Sequence, residues 1–201
     1  MFPLGTVLVP GMVLPLHVFE PRYRRLVRDC LAGDREFGVV LIRRGSEVGG
    51  GDERTDVGTM ATIVRADELP DGRWVVVAVG ARRIRVERWL EDDPHPRAEV
   101  ADWPDEPPAG GAPGEMLRAI EGLLRRSAAL RTELGEPAPR LDLALDDDPV
   151  AASYQAVVAA PLGPADRQAL LEAASVEERL RTLHRELREV VDVLEARLAH
   201  G

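Results

Sequence analysis

Apolar and polar positions change their period several times along this chain, and the changes mark its elements. In the first stretch, Phe2 to Val27, Pro3, Pro10, Pro15 and Pro21 each fix φ and remove a backbone donor, so no helix can run through Thr6 to Val18. Short extended pieces are expected instead. Thr6 to Val9 reads as a strand, Pro10-Gly11 as a turn, and Met12 to Leu14 with Leu16 to Phe19 as the returning strand. After Glu20-Pro21 the period becomes helical. Tyr23, Leu26, Val27, Cys30 and Leu31 form one stripe, with Arg22, Arg24, Arg25, Arg28 and Asp29 between them. Gly33 stands where a helix end favours positive φ.

Phe37 to Ile42 is nearly continuous in apolar residues, the pattern of a strand covered on both faces. Arg43 to Thr55 is polar and glycine-rich and predicts a hairpin loop; Gly49-Gly50-Gly51 has neither the following helix nor the lysine of a phosphate loop. Val57 to Asp67 and Trp74 to Val79 flank the turn signal Pro70-Asp71-Gly72 and predict a hairpin. Arg82 to Trp89 alternates, with Ile84 and Val86 on one face and Arg83, Arg85 and Glu87 on a solvated one; Arg97 to Trp103 supplies a further strand.

A proline- and glycine-rich break from Pro104 to Gly114 separates this half from a helical one. Helices are expected over Glu115 to Leu134, ended by Gly135; over Val150 to Ala160, capped by Asp148 with Pro149 behind it; and over Pro164 to Ala173. Ser175 and Glu178 form a capping box for the last and longest helix, whose stripe runs Val176, Leu180, Leu183, Leu187, Val190, Val191, Leu194 and Leu198. The fold class is therefore α+β. A folded sheet or pseudo-barrel of about six strands with one helix occupies residues 1–103, residues 104–114 form a linker or loop, and residues 115–201 form a helical bundle with a long last helix.

Composition narrows the function more than the fold. The 201 residues are enough to bury a sizeable core, and the net charge of −9 argues against a nucleic-acid or anionic-membrane binder. All 26 basic residues are arginine, which excludes a Walker A lysine and a Ser-Lys dyad within this sequence. Cys30 is the only cysteine, so no internal disulfide or thiolate metal cluster can form. The opening residues lack the basic segment of a signal peptide and no stretch is long and apolar enough to span a membrane, so a cytoplasmic location is expected.

Candidate chemistry is sparse. His17, His95, His184 and His200 have no metal-ligand spacing, and His17, inside an apolar run, is expected to be a satisfied structural histidine. None of Ser46, Ser127, Ser153 and Ser175 sits in a nucleophile motif, and the carboxylate runs Glu91 to Asp93 and Asp146 to Asp148 lack the alternation of a calcium loop. Arg82, Arg83, Arg85 and Arg88 are the densest basic patch but stand beside Glu87, Glu91, Asp92 and Asp93. Trp74, Trp89 and Trp103 are core residues or, where exposed, binding anchors; Trp74, Trp89 and His17 are the candidate binding surface.

The segments FPLGTVLVPGMVLPLHVFEPRYRRLV, GTMATIVRADELPDGRWVVVAVGARRIRV and ALLEAASVEERLRTLHRELREVVDVLE resemble the opening, middle and end of the Lon protease N-terminal substrate-binding domain family, in its stand-alone form without ATPase and protease modules. The resemblance implies a PUA-like sheet half and a non-catalytic bacterial module that recognises exposed apolar segments of unfolded or damaged proteins. The partners it implies are unfolded or extended polypeptide and a protease or chaperone, with no nucleic acid, membrane or cofactor. The family motif positions are Phe2, Pro3, Leu4, Pro10, Gly11, Leu14, Pro15, Leu16, Phe19, Glu20, Tyr23, Gly58 and Gly80, expected to be mostly structural, with Glu20 answering an arginine or capping the first helix. The alternative is an enzyme acting on a small molecule in a cleft between the two halves.

Overall fold

The computed structural model describes residues 1–45, 53–106, 113–137 and 144–200. The core of the predicted Arg43 to Thr55 loop, including Gly49 to Gly51, and most of the Pro104 to Gly114 break lie outside the described residues. Element order is β1 (Phe2–Leu4), β2 (Val13–Val18), α1 (Pro21–Ala32), β3 (Glu36–Arg44), β4 (Glu53–Glu68), β5 (Trp74–Leu90), β6 (Arg97–Asp102), α2 (Pro113–Glu133), α3 (Pro149–Ala159), α4 (Pro164–Glu172) and α5 (Val176–His200). The chain divides into two compact units, Met1–Pro104 and Asp105–Gly201.

In the first unit the sheet runs β1-β3-β4-β5-β2, with β6 also paired to β5. β1 lies parallel to β3, and the other pairs are antiparallel. The organising strand is β5. Its first part carries β2 on one side, in the register Leu14 to Ala78, and its last part carries β6 there, with Ile84 opposite Asp102. The sequence divides this strand into two pieces at Gly80; the structure keeps them continuous. Gly80 is a strand residue because Val9 approaches it so closely that a Cβ would collide with the Val9 carbonyl oxygen, and Gly58 sits in the same way beneath the Val39 carbonyl.

Two local expectations are corrected. Thr6 to Val9 is not a strand, although Val7, Leu8 and Val9 are buried. Its carbonyls are satisfied from the sheet and the turn: Thr59 Oγ1 donates to Leu8 O at 2.7 Å, and Met12 N donates to Val9 O at 3.1 Å. The β1 strand is the preceding Phe2–Leu4. At the end of α1, Gly33 has φ −115°, and the left-handed residue is Arg35 at φ 66°. Arg35 holds that unfavourable conformation because its N–H reaches Cys30 O at 2.9 Å, its carbonyl accepts from Ile63 N at 2.8 Å and its Nε donates to Ile63 O at 3.0 Å.

The main core of this unit lies between α1 and one face of the sheet, built by Phe2, Leu14, Tyr23, Leu26, Phe37, Ile63, Trp74 and Val76. Phe2 and Tyr23 stack with ring centroids 4.2 Å apart. Cys30 is buried here and donates to Glu36 O; burial pushes its thiol up to about 11. A second cluster on the opposite face contains Val40, Ile84 and Val86.

The helical unit follows the predicted caps. Asp148 Oδ2 accepts from Ala151 N, with Pro149 at the first helical position, while Ser175 Oγ accepts from Glu178 N and Glu178 reaches back to Ala174 N. Gly135, at φ 74°, ends α2. Leu130, Val191 and Leu194 join α2 to α5, but Leu198, at the far end of the stripe, is exposed. One buried cluster of the unit is polar, set among apolar residues such as Leu124, Leu170 and Leu183. Arg179, completely buried on α5, donates to Leu170 O, Ser153 Oγ, Tyr154 Oη and Asp105 Oδ1, and its guanidinium lies 3.9 Å from the Tyr154 ring centroid. Tyr154 in turn donates to Asp105 Oδ2 at 2.8 Å.

Candidate functional site

Three free strand edges are present among the described residues, and they differ in how they meet solvent. β1 is three residues long and β6 carries Arg97, Glu99 and Asp102, so shortness protects one and charge the other. β2 has neither protection. Its six residues, Val13–Val18, contain no charge other than His17 when protonated, and the only blunting device is Pro15.

Alternation along β2 decides what it offers. Leu14 and Val18 are buried and Leu16 is half-buried, while Val13, Pro15 and His17 are exposed, with Phe19 following on the same side. Val13 is 57% and Phe19 56% exposed, two large apolar side chains on one face of the same short strand and its end. The ladder fixes the backbone as well. Gly80 N donates to Met12 O at 2.9 Å, so Met12 occupies a hydrogen-bonded position, and by alternation Leu14, Leu16 and Val18 direct their amides and carbonyls to β5. Val13, Pro15 and His17 turn theirs outward. Pro15 stands at a position where the ladder to β5 needs no N–H.

Two cavities adjoin the end of this strand. One, of about 190 Å³, is lined by Phe2, Leu4, Leu16, Phe19 and Tyr23 together with Glu20, and lies between the edges of β1 and β2. The other, of about 260 Å³, is lined by His17, Phe19, Leu69, Arg73 and Trp74. His17, Val18 and Phe19 are common to both.

The candidate residues separate on this geometry. His17 is exposed on β2 and lines both cavities. Trp74 is a core residue, 8% exposed, that forms part of the second cavity's wall. Trp89 is half-buried at the far end of β5, where its Nε1 donates to Asp56 at 3.3 Å and Arg54 covers its ring at 4.8 Å. These three do not form one surface, since Trp89 lines neither cavity.

The basic patch is internally answered. Arg82 makes a two-pronged bond to Glu36 and another to Asp102, Arg88 pairs with Glu99, and Arg83 and Arg85 stack on Trp103 at 4.0 and 3.9 Å. Arg83 is buried, so the face expected to be solvated is covered there. Glu20 answers Arg22 at 3.1 Å and caps α1 through its backbone carbonyl alone. Among the described residues no cluster of three or more His, Cys, Asp and Glu could hold a metal ion.

The model of the ATP-dependent protease La (LON) substrate-binding domain matches residues 1–189. The chain belongs to that family. Lon protease 2 of Herpetosiphon aurantiacus is 31% identical over 96% of this chain, and Lon protease 2 of Thermus thermophilus is 32% identical over 97%. The chain spans only about a quarter of those relatives, 24% and 23% of their lengths. Among solved structures, a Lon N-terminal domain protein from Xanthomonas campestris superposes with a TM-score of 0.64 at 30% identity, covering 90% of this chain and 94% of that one. The N-terminal domain of a Mycobacterium avium complex Lon protease shares the fold, with a TM-score of 0.58.

Many of the Lon-family motif positions are buried in this chain. Phe2, Pro3, Leu4, Leu14, Tyr23, Gly58 and Gly80 are buried, and Gly11, at φ 79°, makes the turn whose N–H reaches Gly80 O. Pro15, Leu16, Phe19 and Glu20 differ, because they line the cavity beside β2 while remaining exposed or half-buried, whereas Phe2, Leu4 and Tyr23 line it from the core. Reading Leu16 to Phe19 as a uniform apolar run hides this difference. The period-2 set Val13, Pro15, His17, Phe19 was available in the sequence and separates the exposed face from the buried one.

Proposed function

We propose that this chain is a non-catalytic, cytoplasmic polypeptide-binding module, which holds exposed apolar segments of unfolded or damaged proteins along β2 of its sheet unit. Membership of a substrate-binding domain family supports the general role. One observation carries its location: Phe19, more than half exposed, stands at the end of an unprotected edge strand with an apolar-walled cavity on either side. Such a site needs no catalytic group, only apolar contact and a few polar ones. A protease or chaperone then acts on what this module holds.

Complex formation between the purified chain and reduced, carboxymethylated α-lactalbumin tests the reading. Binding is expected in the micromolar range, and Phe19→Ser should weaken it by about 30-fold, the loss of one anchor of about 2 kcal/mol. No complex at high micromolar concentration would refute the function. Unaltered binding by Phe19→Ser would refute the location.

A further inference from the structure

The row of outward backbone groups on β2 implies a mode of recognition, not only a place. Resting on the polypeptide-binding reading above, we propose that β2 takes its guest as an added β-strand: an extended segment with alternating apolar residues and an acidic residue, hydrogen-bonded to the backbone of Val13, Pro15 and His17.

Three observations converge. A free edge with solvated N–H and C=O groups is a template for another strand, and folded proteins ordinarily blunt it with charge, bulges or extreme shortness. β6 and β1 are blunted in these ways and β2 is not. Side chains of an added strand alternate between its two faces, so every second guest residue falls on the same side. The apolar ones meet Phe19 and the cavities of about 190 and 260 Å³, each several times the roughly 30 Å³ share of one water molecule.

The charge around the strand end selects the guest. Arg24 projects from α1 onto the turn Leu69 to Arg73, close enough that a Cβ on Gly72 would collide with its guanidinium. Its Nε is buried without a hydrogen-bond partner, and its side chain makes no ion pair among the described residues. Arg73 and His17 line the cavity next to that turn. Arg73 is already paired with Asp71 at 2.7 Å, so Arg24 is the cation without an ion pair at this end of β2 among the described residues, and a guest carboxylate complements it. The net charge of −9 disfavours a second copy of this chain on the edge.

Backbone recognition separates from side-chain recognition by N-methylation of the guest. A short synthetic peptide alternating leucine with serine and ending in aspartate is titrated against the full chain, together with two isomers N-methylated on alternate residues, one set on the leucines and the other on the serines. Both isomers keep every side chain, but only one of them blocks the amides that face β2. One isomer should lose binding by about tenfold or more and the other should bind nearly as the parent does. His17→Pro, which removes an outward N–H that the ladder to β5 does not use, should reproduce that loss with an unchanged circular dichroism spectrum. Replacing the peptide's aspartate by asparagine should weaken binding severalfold.

Equal binding of the two isomers would overturn strand addition while leaving the polypeptide-binding reading in place. Binding of neither the parent peptide nor reduced α-lactalbumin would remove both. A chain that sediments as a dimer, and becomes a monomer on His17→Pro, would give the edge to a second copy and overturn the proposal.

Discussion

The two units treat their polar groups in opposite ways. In the helical unit the most demanding group, the Arg179 guanidinium, is withdrawn from water and answered from every side by Asp105, Tyr154, Ser153 and the Leu170 carbonyl. In the sheet unit the backbone groups of Val13, Pro15 and His17 are left facing outward beside exposed Val13 and Phe19. A satisfied buried network specifies one structure and has nothing left to offer a partner. An open edge contributes little to its own fold and keeps its bonding capacity for a guest. Under the proposed function, the first region serves architecture and the second recognition.

The comparison breaks most visibly at Arg179. Arg179→Met leaves Asp105 buried without its cation, so the chain should lose about 3–5 kcal/mol in urea unfolding. An effect below about 1 kcal/mol would mean that the network is not structural. Next in size is Gly80→Ala, which forces a Cβ onto the Val9 carbonyl and should cost about 2–3 kcal/mol. Phe19→Ser should shift stability by no more than about 0.5 kcal/mol, since its ring is already exposed, while it removes most of the binding. A large stability loss there would merge the two regions that the comparison separates.

Two smaller effects sharpen it. Cys30, buried and pushed up to about 11, should resist iodoacetamide at pH 8 until the chain is unfolded. In the helical unit, hydrogen bonds from Arg197 hold the Glu136 carboxyl below its ordinary value, with Arg131 adding to the effect. A carboxyl depressed in the folded state stabilises it above the unfolded value of 4.5, and that contribution is lost as the pH falls through the lower folded value. Glu136→Gln should therefore lower the stability slightly at neutral pH, and the difference from the parent should vanish as the pH falls through the folded value.

Much of the fold was legible because local signals agreed with tertiary ones. Asp148-Pro149, the Ser175 and Glu178 box and the Pro70-Asp71-Gly72 turn each carry their own geometry within four residues. Failures came where distant backbone decides the outcome. Thr6 to Val9 has the composition of a strand, but its carbonyls are taken by Thr59 and by the turn at Met12. Arg35 adopts positive φ because β4 holds it there, which no property of arginine announces. Arg179 reads as one more exposed helix arginine until Asp105, 74 residues away, is placed beside it.

The candidate site was half legible. In the sequence, His17 reads both as an internally satisfied residue and as part of the candidate binding surface, and Phe19 as one of the motif positions expected to be mostly structural. Trp74 and Trp89 were marked for their size, which says nothing about whether their rings are already covered. What separates these residues is the edge position of β2, and that follows from which strands pair with β5.

Hydrogen–deuterium exchange of the chain with and without reduced, carboxymethylated α-lactalbumin tests the central claim most directly. Bound polypeptide should slow exchange at the amides of Val13 and His17, with Pro15 silent because it has none, and leave the amides of α5 unchanged. Protection confined to the helical unit, or none in Val13 to Phe19 under saturating conditions, would contradict the account.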